Sequence, residues 1–333
     1  MKTYRVYGIG NALLDTEIKL RDDELETLGV DKGLMTLVDA ARRRELLDNL
    51  QGHLIKASHA SGGSAGNSMI ATALFGGPTF LSCNVADDTD GDLYLADLEA
   101  SGVDHPLRGE RCSGSTGKCL VLITPDAERS MNTCLGVSEA LSTGQLDARA
   151  LENADYLYIE GYLVTSPSGR AAAIRAREIA EAAGVRTAIS FSAPGIVEHF
   201  REGLADMVGD GVDLVFCNEA EARSWTGAEA LELATERLRD TARQFVVTRG
   251  SQGSLCFDGE TFSEIPVHRV TAVDSNGAGD MFAGAFLYAI TRGEDFATAG
   301  RFASLAAGNI VARYGPRLPA ADYAALRREF FGD

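Results

Sequence analysis

Short continuous runs of apolar residues alternate with longer amphipathic stretches along most of the chain. Such runs are typical of strands buried on both faces, and the stretches between them carry apolar residues at helical spacing. Alternation of strands and helices builds a parallel sheet covered on both sides, so the pattern predicts a doubly wound α/β fold. The predicted strands are residues 4–10, 79–83, 156–159, 187–191, 214–217, 245–248 and 267–273, and the predicted helices are residues 90–101, 168–183, 195–208, 219–225, 228–242, 278–291 and 295–313.

Two stretches, residues 13–60 and 105–136, interrupt this alternation. The second contains strand-like runs at 116–124 and 128–134, joined by a Thr-Pro-Asp-Ala turn, and together they predict a β-hairpin. A hairpin of this kind fits poorly into a doubly wound sheet. We therefore predict a small β-rich lid made of residues 13–60 and 105–136, carried by a large α/β domain made of residues 1–12, 61–104 and 137–333.

Residues 57–86 contain no acidic or basic side chain, which raises the question of a membrane span. Glycine pairs break the stretch and it holds no run of about 20 apolar residues, so a buried turn–helix–turn is predicted instead. The N-terminal segment is interrupted by Arg5 and Gly8 and does not resemble a signal peptide. The six cysteines are scattered, as is typical of reduced thiols. Together these features predict a cytoplasmic protein.

The charge balance restricts the partners that this chain can bind. Its 333 residues include 31 basic and 48 acidic side chains, which gives a formal net charge of −17. Binding to nucleic acid or to an anionic membrane depends on many Lys and Arg side chains, so neither is expected as a partner. A small phosphorylated ligand is not excluded, because a few backbone amides can bind a phosphate group whatever the net charge.

One glycine-rich turn opens the predicted helix 278–291 and carries the clearest chemical signal. Two glycines at a helix start would expose converging backbone N–H groups, which stabilise negative charge. An acid in the first turn would stand beside this anion site as a base, a pairing suited to phosphoryl transfer to a hydroxyl. The alternative is a plain glycine-rich turn with an acid at a helix start. The residues are Gly277, Ala278, Gly279 and Asp280.

This turn resembles the second signature of the ribokinase-like (PfkB) sugar and nucleoside kinases. Three further segments match that family in the expected order along the chain. Residues 61–67 resemble its di-glycine substrate motif, residues 218–221 its N-x-x-E motif, and residues 248–253 its nucleotide-binding turn. The chain is therefore identified as similar to the PfkB family, and most similar to its bacterial adenosine kinases. The resemblance implies a ribokinase-like sheet with a lid, and an ATP-dependent phosphotransferase with an alcohol acceptor.

The resemblance also implies which residues bind the nucleotide and metal ions. Asp280 would be the general base and the 277–279 backbone the anion hole, while Asn218 and Glu221 would organise Mg²⁺ through water. A helix N-cap with a capping box is the alternative for that pair. A monovalent cation such as K⁺ would bind at Asp274 and Ser275. The residues expected to contact ATP are Asn218, Glu221, Thr248, Gly250, Gly253 and Asn309, and a plain hairpin turn is the alternative for residues 248–253.

For the acceptor, the resemblance points to residues after the first strand and at the di-glycine motif. A carboxylate and an amide facing two neighbouring hydroxyls suit a ribose ring. A solvated loop acid is the alternative for Asp15, a core side chain for Tyr162 and a surface cation for Arg129. The residues expected to bind the acceptor are Asn11, Asp15, Gly62, Gly63, Ser64, Asn67, Tyr162 and Arg129.

The segment Ser192-Ala193-Pro194 favours one acceptor over others. Adenosine kinases carry Ser-Ala-Pro near this strand end, whereas many sugar kinases of the family carry D-x-N-x-R. Gly195 departs from the aromatic residue that often follows in adenosine kinases. We therefore expect phosphorylation of the 5′-hydroxyl of adenosine to give AMP, with another purine nucleoside, ribose or fructose as the alternative.

Two other classes of function compete with a kinase. A non-catalytic nucleoside or ATP sensor would share the fold, but the presence of Asp280 argues against it. A nicotinamide oxidoreductase would need a final glycine in G-x-G-x-x-G, where Leu13 stands instead. The expected partners are ATP and a small acceptor, and the chain is expected to be a monomer or a homodimer formed through the lid.

Overall fold

The strands of the protein form two sheets. The computed structural model describes residues 3–50, 60–126 and 128–332. Numbered along the chain, the strands are β1 (Tyr4–Ile9), β2 (Leu13–Lys19), β3 (Met35–Leu37), β4 (Ala60–Gly62), β5 (Thr79–Ser82), β6 (Val103–Asp104), β7 (Gly117–Ile123), β8 (Arg129–Cys134), β9 (Ala154–Glu160), β10 (Arg186–Ser190), β11 (Val212–Asn218), β12 (Ala242–Thr248), β13 (Ser254–Phe257) and β14 (Phe262–Ile265).

The larger sheet has nine strands in the order β14-β13-β12-β11-β10-β9-β1-β5-β6. All neighbours from β12 to β6 are parallel, while β13 and β14 pair antiparallel at one edge. The predicted mostly parallel sheet is therefore confirmed. The β13–β14 pair was not predicted, whereas the antiparallel pairing of β12 with β13 agrees with the hairpin turn that was the alternative for residues 248–253.

Helices cover both faces of this sheet and one face of the smaller sheet. They are α1 (Asp22–Thr27), α2 (Ala40–Asn49), α3 (Ser64–Leu74), α4 (Thr89–Ala100), α5 (Ala148–Glu152), α6 (Pro167–Ala182), α7 (Pro194–His199), α8 (Arg201–Val208), α9 (Glu219–Thr226), α10 (Leu231–Leu238), α11 (Ala278–Arg292), α12 (Phe296–Val311) and α13 (Ala320–Phe331).

The larger sheet has one apolar core on each face, and strand β9 contributes side chains to both. Tyr156 and Tyr158 belong to one apolar cluster with α3, α11 and α12, whereas Leu157 and Ile159 belong to a second cluster with α6 and α8. Successive side chains of a strand point to opposite faces, so both faces of this strand are buried. A continuous apolar run is therefore the expected sequence for it.

The smaller sheet has five strands in the order β3-β8-β7-β2-β4. The predicted hairpin is confirmed as β7 and β8, which pair antiparallel. Helices α1 and α2 cover one face with an apolar cluster of their own, and the opposite face carries Cys119, Val121 and Met131. Four of these strands come from the two stretches assigned to the lid, whereas β4 begins at the last residue of the first stretch and continues into residues 61–62 of the predicted large domain. The domain boundaries themselves stay a prediction.

The predicted strand 267–273 is wrong. Residues 268–272 are exposed and form no ladder, and Val273 instead donates its N–H to the carbonyl of Val311 at the end of α12. The segment pairs with neither edge strand of the larger sheet, and contacts with α12 hold it instead, since the N–H of His268 also donates to Ser304 Oγ at 3.0 Å. Three helices, not two, end the described chain, since α13 follows α12, and the predicted helix 195–208 is divided at Phe200 into α7 and α8.

The uncharged stretch forms the expected buried helix. Eight of the 11 residues of α3 are buried, and its place is between the large sheet and α11. Residues 57–59 of that stretch lie outside the described residues. Across 3–50, 60–126 and 128–332, we find no helix with the length and apolarity needed to cross a membrane.

Candidate active site

A cavity of about 560 Å³ lies between the smaller sheet and the carboxyl ends of the large-sheet strands. Its roof comes from β2, β3, β7 and β8, and its floor from the ends of β9 and β11 and from the start of α11. Ligands of doubly wound proteins bind at this edge of the sheet. The predicted site residues that line it are Asn11, Asp15, Gly63, Ser64, Asn67, Arg129, Tyr162, Asn218, Glu221, Thr248, Gly250, Ser275, Gly277, Ala278, Gly279 and Asp280.

The N-terminus of α11 opens directly into the cavity. Gly277 is its N-cap with φ = 72°, a left-handed conformation, and a Cβ there would lie 2.5 Å from the carbonyl oxygen of Pro316. Only glycine fits both requirements. Since glycine has no side chain to cap the helix, the N–H groups of Gly279 and Asp280, which precede any intrahelical acceptor, are oriented as an anion site.

Asp280 is held by the first turn of another helix. Ser64 Oγ donates to Asp280 Oδ1 at 2.7 Å, and Asn67 Nδ2 donates to Asp280 Oδ2 at 3.0 Å. Burial raises the pKa of Asp280, while these two hydrogen bonds and Arg129 oppose the rise. The carboxylate is therefore fixed in place, and burial makes it a stronger base than a solvated aspartate.

Asp15 and Asn11 lie at the acceptor end of the cavity, as predicted. Burial raises the pKa of Asp15 to about 7, with the neighbouring charges of Glu17 and Asp280 adding to the effect. Gly62 does not line the cavity, but a Cβ there would collide with the Asp15 carboxylate. The di-glycine motif thus makes room for this side chain.

Glu160 at the end of β9 is a cavity residue that the sequence analysis missed. Its Oε1 accepts from the backbone N–H and from Nδ2 of Asn11, at 3.2 and 3.0 Å, and its Oε2 accepts from the N–H of Ala65 at 2.8 Å. Burial raises its pKa to about 7. Its position after a buried strand was the available signal, since polar residues there face the ligand edge of a parallel sheet.

Asn218 and Glu221 form the capping box that was the alternative for them. Asn218 Oδ1 accepts from the N–H of Glu221 at 2.8 Å, and Glu221 Oε2 accepts from the N–H of Asn218 at 2.9 Å. Both also line the cavity, and burial raises the pKa of Glu221 to about 7. The capping geometry therefore does not remove this carboxylate from the site, because each oxygen retains a lone pair.

Two residues expected to contact ATP lie away from the cavity lining. Gly253 follows the turn before β13, where a Cβ would collide with the carbonyl of Ile265. Asn309 lies on α12, and its Nδ2 donates to the carbonyl of Leu305 at 2.9 Å. Thr248 and Gly250 do line the cavity.

The segment before α11 is held by backbone contacts. Asp274 is buried, and its carboxylate accepts from the N–H groups of Asn276 and Gly315 at 2.9 and 3.0 Å. The side chain of Arg129 donates to the carbonyl of Ser275. In the part of the chain that the structure describes, no three His, Cys, Asp or Glu side chains converge as a metal site.

These features define a class of protein. A partly buried carboxylate beside the uncapped start of a helix, facing the smaller sheet across the cavity, suits an enzyme that transfers a phosphoryl group to an alcohol. The backbone N–H groups would stabilise the phosphoryl oxygens, and the carboxylate would take the alcohol proton.

Comparison with known proteins identifies the family. The pfkB family carbohydrate kinase model matches residues 30–322. A probable sugar kinase from Rhizobium etli CFN 42 superposes with a TM-score of 0.93 at 31% identity, over 99% of this chain and 100% of its own. The adenosine kinase from Sinorhizobium meliloti gives 0.89 at 33% identity, over 98% and 99%. The adenosine kinase of Schizophyllum commune is 29% identical over 327 residues, 89% of this chain and 91% of its own.

The chain belongs to the pfkB family of carbohydrate kinases. It is an ATP-dependent phosphotransferase with an alcohol acceptor, within the sugar and nucleoside kinases. The predicted family and the predicted ribokinase-like fold are thereby confirmed. The family also implies ATP and a divalent metal ion as cofactors.

Proposed function

We propose that this kinase transfers the γ-phosphoryl group of ATP to the 5′-hydroxyl of adenosine and produces AMP and ADP. The observation that carries the proposal is the position of Asp280 at the uncapped start of α11, in a cavity large enough for a nucleoside. The 29% and 33% identical adenosine kinases described above support this choice of acceptor.

The cavity offers both polar and apolar surfaces, as a nucleoside requires. Asn11 and Asp15 provide polar atoms for ribose hydroxyls, and Asn67 Oδ1 is buried with no hydrogen-bond partner among the described residues. A buried hydrogen-bond acceptor such as this amide oxygen favours a ligand that donates a hydrogen bond to it. The lid side is apolar and suits a purine base. Its lining side chains include Leu13, Met35, Leu37, Val121, Met131 and Leu135.

The proposed reaction begins with the acceptor hydroxyl beside Asp280. The hydroxyl gives its proton to the Asp280 carboxylate as its oxygen bonds to the γ-phosphorus, and the bond from that phosphorus to the β–γ bridging oxygen breaks to release ADP. The backbone at 277–279 stabilises the charge on the transferred group. Ser64 and Asn67 keep the carboxylate oriented throughout.

We propose Mg²⁺ as the divalent ion, with Asn218 and Glu221 holding it through water. The Glu221 carboxylate is buried at the cavity wall, where the charge of Arg129 partly offsets the rise of its pKa, and hard oxygen donors of this kind fit Mg²⁺. When bound, the ion would neutralise phosphate charge. Asp274 and Ser275 stay a proposed site for K⁺, and a monomer or a homodimer formed through the lid stays the proposed assembly.

The experiment is a panel of acceptors assayed with ATP and Mg²⁺. Adenosine is expected to give the highest kcat/KM, followed by other purine nucleosides, with ribose and fructose far lower. The rate of ADP formation and the mass of the phosphorylated product are measured for each acceptor. Ribose or fructose turning over far faster than adenosine would contradict the proposed acceptor while leaving the kinase reaction intact.

A further inference from the structure

The lid strand β2 carries three charged side chains on one face. Asp15, Glu17 and Lys19 alternate along the strand and therefore point the same way. Asp15 lines the acceptor end of the cavity. The other two side chains continue this face beyond the acceptor end, and each contacts a different segment that frames the start of α11.

Glu17 contacts the residue directly before the N-cap of α11. Asn276 Nδ2 donates to Glu17 Oε1 at 3.1 Å, and Asn276 is itself buried. A second lid strand contacts the same loop, because Arg129 on β8 donates to the carbonyl of Ser275. The lid thus holds both residues that precede Gly277.

Lys19 contacts the second segment, which follows α12. Its Nζ lies 3.4 Å from the centroid of the Tyr314 ring. Two residues further on, Pro316 packs so closely on Gly277 that no Cβ fits there. A shift of this segment would therefore displace Gly277, the N-cap of α11.

Asp274 joins the two segments. One of its carboxylate oxygens accepts from the N–H of Asn276 at 2.9 Å, and the other accepts from the N–H of Gly315 at 3.0 Å. The residue is completely buried. The Asp274 carboxylate therefore links the two loops, and β2 contacts both of them.

We propose that β2 couples acceptor binding to the anion hole, with Glu17 and Asn276 as positioning residues and Lys19 as a weaker support. The inference rests on the proposed function only in that Asp15 holds the acceptor. An acceptor that binds Asp15 favours the position of β2 in which Glu17 contacts Asn276, and this hydrogen bond transmits the preference to the residue before Gly277. A ligand shifts such an equilibrium only through its preference for one state, so the coupling is measurable as a change in affinity.

The test compares nucleotide affinity with and without acceptor. Calorimetry gives the Kd of AMP-PNP with Mg²⁺ alone and with a saturating amount of the best acceptor from the panel. The quantity compared is the Kd of AMP-PNP without acceptor divided by its Kd with acceptor. In the wild type, this ratio is expected to be at least about 5, the lower end of usual coupling. Glu17→Ala is expected to cut this ratio at least about threefold and to lower kcat about tenfold, while the Kd of the acceptor alone changes less than about twofold.

Conservative and control variants separate positioning from folding. Glu17→Gln keeps an oxygen at the position that accepts from Asn276, so it should retain the ratio. Lys19→Met should lower it less than Glu17→Ala, because an exposed cation–π contact is weak. Glu45→Ala removes an exposed charge on α2 that pairs with Arg42, and it should leave the ratio unchanged.

A double variant tests whether Glu17 acts through Asn276. The ratio should be lowered no further in Glu17→Ala/Asn276→Ala than in the more affected single variant. Equal ratios in the wild type and Glu17→Ala, or a Glu17→Gln variant as impaired as Glu17→Ala, would overturn the inference. Because the ratio is measured with whichever acceptor turns over best, a sugar-specific enzyme would contradict adenosine as acceptor without affecting this test.

Discussion

Two helices, α9 and α11, begin at the same cavity with a carboxylate in the first turn, and they use it differently. In α9, Glu221 turns back to accept from the N–H of Asn218, its own N-cap. In α11 the N-cap is Gly277, and Asp280 instead accepts hydrogen bonds from Ser64 and Asn67 of α3. The first helix satisfies its own terminus, whereas the second leaves its terminus available for a ligand. The absence of a side-chain cap at Gly277 therefore indicates a ligand site.

The largest effect is expected from Asp280→Asn. The amide keeps the size of the side chain but cannot take the alcohol proton, so kcat should fall at least about a hundredfold. Nucleotide affinity should persist, because the backbone of 277–279 is unchanged. Asp322→Asn, in the first turn of α13 outside the cavity, is the matched control. Turnover near the wild-type level in Asp280→Asn would remove this carboxylate from the mechanism and break the contrast between the two helices.

The next largest effect is expected from Gly277→Ala. A Cβ there meets Pro316, and alanine at φ = 72° is strained by about 1–3 kcal/mol, so the start of α11 must move. Gly293→Ala is the matched control. Gly293 also has positive φ at the other end of the same helix, and nothing lies within 4 Å of the added Cβ. Thermal melts should show destabilisation of both, whereas kcat should fall strongly in Gly277→Ala only; equal kcat values would argue against an anion hole.

A smaller effect is expected from Asn218→Ala. It removes a cap to the N–H of Glu221, which costs about 1 kcal/mol of unfolding free energy. Asp295→Ala removes the corresponding cap of α12, away from the cavity, and should cost a similar amount. Only Asn218→Ala should also raise the KM for ATP, because Asn218 and Glu221 line the cavity. Parallel denaturant titrations and ATP saturation curves compare them, and an unchanged KM would leave Asn218 as a cap alone.

The smallest effect is expected on the pH profile of Ser64→Ala. The base is active when ionised, so activity falls as the pH drops through the pKa of Asp280. The hydrogen bond from Ser64 favours the ionised form, and its loss should raise that pKa further and move the acidic limb to higher pH. Burial raises the pKa values of Asp15, Glu160 and Glu221 to about 7, so these groups also contribute to each profile and the comparison uses the difference between the two profiles. A limb that moves to lower pH would contradict this account.

The sequence predicted those parts of the site that local motifs define. The turn at 277–280 carries its own conformational requirements, and the Asn218–Glu221 spacing already implied a shared face. The sequence could not predict the partners across the fold. Asn67 and Asp280 are 213 positions apart, and Asn11 and Glu160 are 149 apart, so their contacts depend on the order of strands in the sheet.

Local sequence patterns also predicted most of the fold, and they failed where contacts across the fold decided the conformation. Buried parallel strands such as β9 are continuous apolar runs, which the pattern identifies directly. The segment 267–273 has strand-like residues too, but its backbone donates to Ser304 and Val311 of α12 and pairs with no strand. Local preference was overridden there by the tertiary arrangement.

The packing of α3 against α11 has a consequence for tolerance to mutation. A Cβ at Gly284 would lie 2.5 Å from the carbonyl oxygen of Ser68, and Thr72 Oγ1 donates to the Gly284 carbonyl at 2.9 Å. The backbones of the two helices therefore set the separation between Asp280 and the side chains that orient it. A complete substitution scan of this kinase should find some of its most intolerant positions along this interface, at residues that never touch either substrate.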